Sequence, residues 1–218
     1  MMTARFDLIV FDWDGTLMDS ESHIVACMQQ ACRDLGLEVL PAVQVRNVIG
    51  LGLTEAIQAL LPGADGDRVR QFADRYRHHF LSTADEMAAF FPGAEKVLDR
   101  LESAGYLLGV ATGKSRRGLD RVLASTGWRH RFHATRCADE TFSKPHPEML
   151  LQIMDVLGVK PGRTLMIGDT EYDLEMASGA GAASVGVSYG VHESQRLMRH
   201  GPLTILDDIA ELPGWLGL

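Results

Sequence analysis

Phe11-Asp12-Trp13-Asp14-Gly15-Thr16-Leu17 sets two carboxylates two residues apart, where an apolar run meets a glycine. Paired acids can divide labour, one attacking an electrophile while the other moves protons. Three later segments also carry reactive side chains: Thr112-Gly113-Lys114, Lys144 within Ser143-Lys144-Pro145, and Asp169 with Asp173 in Gly168-Asp169-Thr170-Glu171-Tyr172-Asp173. If these segments share one edge of a sheet, several carboxylates meet a single lysine, and the cluster repels itself. A hard divalent cation relieves that repulsion, and Mg²⁺ favours a few carboxylates completed by water and phosphate oxygens. The set meets the needs of phosphoryl transfer: a nucleophile, a cation, donors for the other oxygens and a proton source. One acid of the first pair can attack phosphorus while the other serves the leaving group. Thr112 and the N–H groups after it can hold phosphate oxygens at the start of a helix, and Lys144 can neutralise nucleophile and phosphate together.

The elements that must position these groups follow from the hydrophobic pattern. Phe6 to Asp12, Tyr106 to Thr112, Thr164 to Asp169 and Ala183 to Val187 read as strands, with Thr204 to Leu206 a weaker fifth. Helical patterns separate them. Ala94 to Ala104 follows the Pro92-Gly93 turn, Ser115 suits the N-cap of a helix reaching Thr126, and Pro147 begins a helix that Gly158 ends. This alternation predicts an α/β fold, a Rossmann-like parallel sheet core flanked by helices. Between the first strand and Pro92, roughly 70 residues contain no strand signal but repeat apolar residues at helical spacing: Ile24 to Leu35, Leu53 to Leu61, Val69 to Phe80. They predict an inserted small all-helical cap domain, residues 18–91, hinged near Leu17 to Ser20 and Ala88 to Gly93. Residues 1–17 and 92–218 form the core.

Composition narrows the function. With 46% hydrophobic and 23% charged residues, the 218-residue chain has the make-up of a globular protein with a substantial core. Its net charge of -8 argues against nucleic-acid binding, which needs clustered Lys and Arg, yet a metal and one or two cations can still hold a small phosphate ester. Cys27, Cys32 and Cys137 are odd in number and lack metal or redox-pair spacing, so buried free thiols in a reducing cytoplasm are expected. Met1 to Asp7 lacks the apolar core of a signal peptide, and no apolar stretch is long enough to span a membrane.

The four segments resemble the four motifs of the haloacid dehalogenase superfamily of phosphohydrolases: Asp12-x-Asp14-Gly15-Thr16, Thr112, Lys144, and Gly168-Asp169 with Asp173. The resemblance covers the whole chain, and the helical insert after the first motif is similar to the cap of the branch containing phosphoglycolate phosphatase. It implies Asp12 as nucleophile, Asp14 as general acid/base, and Mg²⁺ held by Asp12, the main-chain carbonyl of Asp14 and Asp169, with Asp173 a water-mediated ligand. Thr16, Gly113 and Lys114 become candidate substrate contacts. Arg46, between cap helices near Asn47 and the Gly50-Leu51-Gly52 turn, could meet a substrate carboxylate. The implied enzyme is a cytoplasmic phosphatase of a small phosphorylated metabolite, monomeric or homodimeric, with phosphoglycolate the leading substrate. Asp14 argues against the dehalogenase branch, and the lack of lysine from Leu17 to Phe91 against the phosphonate-hydrolysing one. A β-phosphoglucomutase-like phosphotransferase or an inorganic pyrophosphatase of the same fold are alternatives. A phosphorylation-dependent signalling module also gathers acids, Thr and Lys at strand ends, but needs only about half this length and no lid. Trp13 is expected in the core by strand alternation. His78, His79, His130 and His133 are expected to be packed or solvated.

Overall fold

The computed structural model describes residues 5–87 and 89–218. The core strands are β1 (Leu8–Phe11), β4 (Leu107–Thr112), β5 (Ala134–Cys137), β6 (Thr164–Gly168), β7 (Ala183–Val187) and β8 (Ile205–Leu206), and a short ribbon pairs β2 (Met18–Asp19) with β3 (Ala89–Phe90). The helices are α1 (Glu21–Asp34), α2 (Ala42–Arg46), α3 (Leu53–Leu60), α4 (Gly66–Met87), α5 (Ala94–Ser103), α6 (Arg116–Thr126), α7 (Glu148–Leu157), α8 (Glu171–Gly179), α9 (Ser194–Met198) and α10 (Leu212–Trp215).

The six core strands lie in the order β5-β4-β1-β6-β7-β8, and every neighbouring pair is parallel. Chain order therefore reverses between β1 and β6, which opens a crevice beyond their carboxyl ends. Buried on both faces, the strands alternate between two apolar layers. Ile9 and Phe11 pack with Leu98, Leu101 and Leu119 of α5 and α6, while Leu8 and Val10 pack with Met149, Ile153 and Met176 of α7 and α8. The same alternation carries Trp13 into the first layer, where its ring meets Phe90, Trp128 and Phe132 edge-on at 6.0–6.4 Å.

The doubly wound sheet and the helical insert are as expected from the sequence pattern. Helices α1 to α4 enclose their own core of Ile24, Met28, Ile57 and Phe72. Both proposed hinges coincide with the β2/β3 ribbon, which pairs Met18 with Phe90 and Asp19 with Ala89; Ala88 lies outside the described residues, as do Met1 to Ala4 of the stretch read as free of a signal peptide. Ser115 accepts a hydrogen bond from the Gly118 N–H, and Gly158 ends α7 in the left-handed region. Strand β5 has no counterpart in the expected list. It forms the sheet edge, where Thr135 and Arg136 stay partly exposed, so it shows no apolar run. Of the histidines singled out above, His79 bonds Asp34, His130 bonds the Gly127 carbonyl, His133 accepts from the Leu108 N–H, and the His78 ring meets that of His79 edge-on. Among the described residues no helix is long and apolar enough to cross a membrane.

Trp13 is fully buried within an aromatic cluster that joins the site strand to the ribbon at the base of the insert. Trp13→Ala should lower unfolding free energy by about 3–5 kcal/mol, seen as a reduced urea midpoint at unchanged slope.

Candidate active site

Each candidate side chain lies at a carboxyl end of a central strand or in the loop beyond it. Asp12 follows β1, Thr112 closes β4 and Asp169 follows β6, while Asp173 sits in the first turn of α8. The Asp12 N–H donates to the Ile167 carbonyl at 2.9 Å, so the ladder between β1 and β6 itself sets the two acids side by side. The Lys144 ammonium, fully buried, bonds Asp12 Oδ1 at 2.7 Å and Asp173 Oδ1 at 2.6 Å. Asp173 Oδ2 accepts from the N–H and hydroxyl of Thr170, closing a capping box on α8. Both of its oxygens are therefore engaged. Asp169 accepts from the Thr16 hydroxyl on Oδ1 and from the Val191 N–H on Oδ2, each at 2.9 Å. Gly15 packs so tightly here, at φ +84°, that a Cβ would fall 2.1 Å from Asp169 Oδ2.

Oxygens of Asp12, Asp169 and Asp173 lie within 4.8 Å of one another. Three buried carboxylates share one ammonium, so their full ionisation would leave two negative charges unneutralised. Burial pushes the Asp12 carboxyl well above the usual range, with Lys144 pulling it down and Asp173 and Asp169 pushing it up. Burial, and then Asp173, raise Asp169 to about 7. For Lys144, burial opposes the charge, but Asp12 and Asp173 together outweigh it and hold the ammonium above its ordinary range. Asp12 Oδ1 is occupied by Lys144 and by the Trp13 N–H at 2.6 Å, whereas its Oδ2 is buried without a hydrogen-bond partner. Excess negative charge and an orphaned carboxylate oxygen fit a hard divalent cation.

Asp14 points elsewhere. Its carboxylate bonds Lys114 Nζ at 2.8 and 3.0 Å and accepts from the Ser20 hydroxyl at 2.5 Å. Lys114 Nζ also stands 4.8 Å from the centre of the Phe80 ring. The segment 47–52 of the insert lies across the core loops. The Gly52 N–H donates to Ser143 Oγ at 2.6 Å, the Tyr172 hydroxyl donates to the Asn47 carbonyl at 2.8 Å, and Arg196 bonds the Asn47 side chain. A Cβ on Gly113 would lie 2.5 Å from the Leu51 carbonyl oxygen, so only glycine admits this approach. Beneath the segment is a cavity of about 480 Å³ lined by Asp12, Asp14, Gly113 and Lys114 on the core side.

Asp12, Asp14, Gly113, Lys114, Lys144, Asp169 and Asp173 are thus gathered at one strand-end cluster and its cavity. Thr112 is buried there, its hydroxyl accepting from the Lys114 N–H at 3.2 Å. Thr16 is fully buried against Asp169. Arg46 does not line the cavity; its guanidinium is half-exposed and bonds Glu21 at 2.5 Å. The motif reading passed over Ser20, Ser143 and Val191, which bind through a hydroxyl or an N–H that no spacing rule singles out, while Asn47, noted between the cap helices, bonds Tyr172 and Arg196.

A family model for haloacid dehalogenase-like hydrolases matches residues 9–187, which include all of these site segments. The chain belongs to that family. This hydrolase is 37% identical over 213 residues to a probable phosphatase, IndB, of Dickeya dadantii, across 95% of this chain and 92% of the relative. It is 32% identical over 219 residues to an N-acetylmuramic acid 6-phosphate phosphatase of Pseudomonas aeruginosa, across 97% and 95%. A solved structure described as a predicted phosphoglycolate phosphatase of Haemophilus somnus superposes with a TM-score of 0.89 at 26% identity, covering 99% of each chain. The hydrolase is accordingly an enzyme of the phosphoric monoester class.

The raised Asp169 carboxyl links folding to pH. Its unfolded-state value is near 4, so ionisation costs nothing below that pH and progressively more up to about 7. In chelator, wild-type Tm should therefore fall relative to Asp169→Asn as pH rises from 5 to 8, and divalent cation should restore it at pH 8. A pH-independent offset between the two proteins would contradict the assignment.

Proposed function

We propose that the protein is a Mg²⁺-dependent phosphatase that hydrolyses a small phosphate monoester through an aspartyl-phosphate. The observation carrying this reading is the state of Asp12: one oxygen is held by Lys144 and a backbone N–H, the other is buried and unpartnered beside two more carboxylates. An attacking carboxylate needs one free oxygen and a fixed orientation.

Asp12, Asp169 and the main-chain carbonyl of Asp14 would hold Mg²⁺, which when bound would supply positive charge for the carboxylates and for the transferring phosphoryl oxygens. Asp173 would act through water, and through its grip on Lys144. Asp12 attacks phosphorus, and the ester oxygen departs with a proton from Asp14. Water then attacks the aspartyl-phosphate, Asp14 takes its proton, and phosphate leaves with Asp12 restored. Lys114 and Ser20 orient the Asp14 carboxylate toward the cavity, and Thr112 and Gly113 offer a hydroxyl and an N–H at the start of α6. Residues 18–91 serve as a cap over a core of residues 1–17 and 92–218, with segment 47–52 excluding water from the crevice. The relatives' names, for an amino-sugar phosphate and for phosphoglycolate, support a small phosphorylated metabolite as substrate. Three buried cysteines support a cytoplasmic setting.

With p-nitrophenyl phosphate and Mg²⁺, Asp12→Asn should lose at least about 10³-fold in kcat, and rapid acid quench should recover no phosphoprotein. Asp14→Asn should slow formation and breakdown of the phosphoenzyme together; normal breakdown would remove its proposed double role. Chelation should abolish turnover, and Mg²⁺ should restore it.

A further inference from the structure

The cavity that contains the reacting groups is larger than a two-carbon phosphate ester requires. Its volume, about 480 Å³, lies within the roughly 300–1,000 Å³ range of pockets that enclose drug-sized ligands. The cap side of its wall is built from Ile24, Met28, Ile49, Leu53, Tyr76 and Phe80. Two of these are aromatic: Phe80 is stacked between neighbours, His23 at 4.6 Å and Tyr76 at 5.5 Å, and its ring supports Lys114, which in turn holds Asp14, while Tyr76 lines the cavity beside it. A substrate carbon skeleton leaving the phosphate would therefore run directly onto aromatic and aliphatic surface.

The distribution of charge points the same way. Among the described residues lining the cavity the cations are Lys114, Arg77 and Arg117. Lys114 is committed to Asp14, and Arg77 is half-exposed and bonded to Asp74. Arg117 is exposed in the first turn of α6. Arg46, the cap cation expected to meet a carboxylate, lies outside the lining and bonds Glu21. A carboxylate one carbon from the ester oxygen would find Lys114 already bonded to Asp14 and a cap wall made largely of apolar side chains that offer it no hydrogen bond, an arrangement that costs free energy. A bulky apolar body in the same place would gain from removal of its surface from water.

We propose that the preferred substrate is the phosphate monoester of a bulky alcohol presenting an aromatic or aliphatic face, which packs against the apolar cap wall of the cavity at Tyr76. This rests on the phosphatase reading above and specifies its substrate class. Three primary alkyl esters with comparable leaving groups separate the two: 2-(1-naphthyl)ethyl phosphate, ethyl phosphate and phosphoglycolate, each assayed with Mg²⁺ for kcat/KM by phosphate release. The naphthylethyl ester should exceed both others by at least about tenfold, the scale at which apolar pockets discriminate. Tyr76→Ala should narrow that ratio several-fold, mainly through KM. Phosphoglycolate equal to or better than the naphthylethyl ester would overturn the substrate class and leave the phosphatase reading standing. A ratio unmoved by Tyr76→Ala in a folded variant would also overturn it, whereas no turnover of any ester, p-nitrophenyl phosphate included, would overturn both.

Discussion

The buried ammonium of Lys144, bonded to Asp12 on one side and Asp173 on the other, is the interaction on which the site depends. It offsets the desolvation and mutual repulsion of three carboxylates packed within a few ångströms of each other, and among the described residues no other cation bonds them. The lysine also ties together three strand-end segments distant in sequence. Through Asp173 it is anchored to the capping box of α8, and through Asp12 to the end of β1. It neutralises part of the charge only, and the remainder is what makes the cluster suited to a divalent cation and a phosphoryl group.

Around that pair the sheet acts as a positioning device. The switch in strand order between β1 and β6 sets Asp12 and Asp169 on adjacent parallel strands, their separation fixed by backbone hydrogen bonds. Trp13, pointing the opposite way from its acidic neighbours, fastens the same turn into the core and to the ribbon below the insert. The insert supplies the other half of the site. Segment 47–52 meets the loops after β4 and β5 and the first turn of α8 through main-chain groups, and Arg196 bonds the Asn47 side chain. Glycine at position 113 is the condition for that approach, since any side chain would collide with the Leu51 carbonyl.

Much of this is legible in the residues alone. Short apolar runs ending in Asp12, Thr112 and Asp169 mark buried parallel strands, and helical periodicity over the interval after β1 marks an insert. Alternation along β1 suffices to send Trp13 inward. Strand β5 escapes such reading because an edge strand can pair through its backbone while Thr135 and Arg136 remain partly exposed. Arg46 shows the converse: a cation between cap helices looks poised for substrate, but its helix turns it toward Glu21. Ser20 and Ser143 escape because a hydroxyl takes its role from what stands opposite it.

By itself, then, the sequence determined the doubly wound core, the helical insert, family membership and the inventory of acids and lysines, because strand periodicity and motif spacing are local properties written along the chain. Only the tertiary structure decided how those groups are paired: Lys144 with Asp12 and Asp173, Lys114 with Asp14 and the Phe80 ring, Thr16 with Asp169. It alone decided as well that Arg46 bonds Glu21 outside the cavity, whose cap wall is lined by apolar side chains, Tyr76 and Phe80 among them, together with Thr54, Glu55 and Arg77. The physical reason is that burial, hydrogen-bond partners and cavity shape arise from contacts between segments far apart in the chain, and a side chain's charge state and role follow from those contacts.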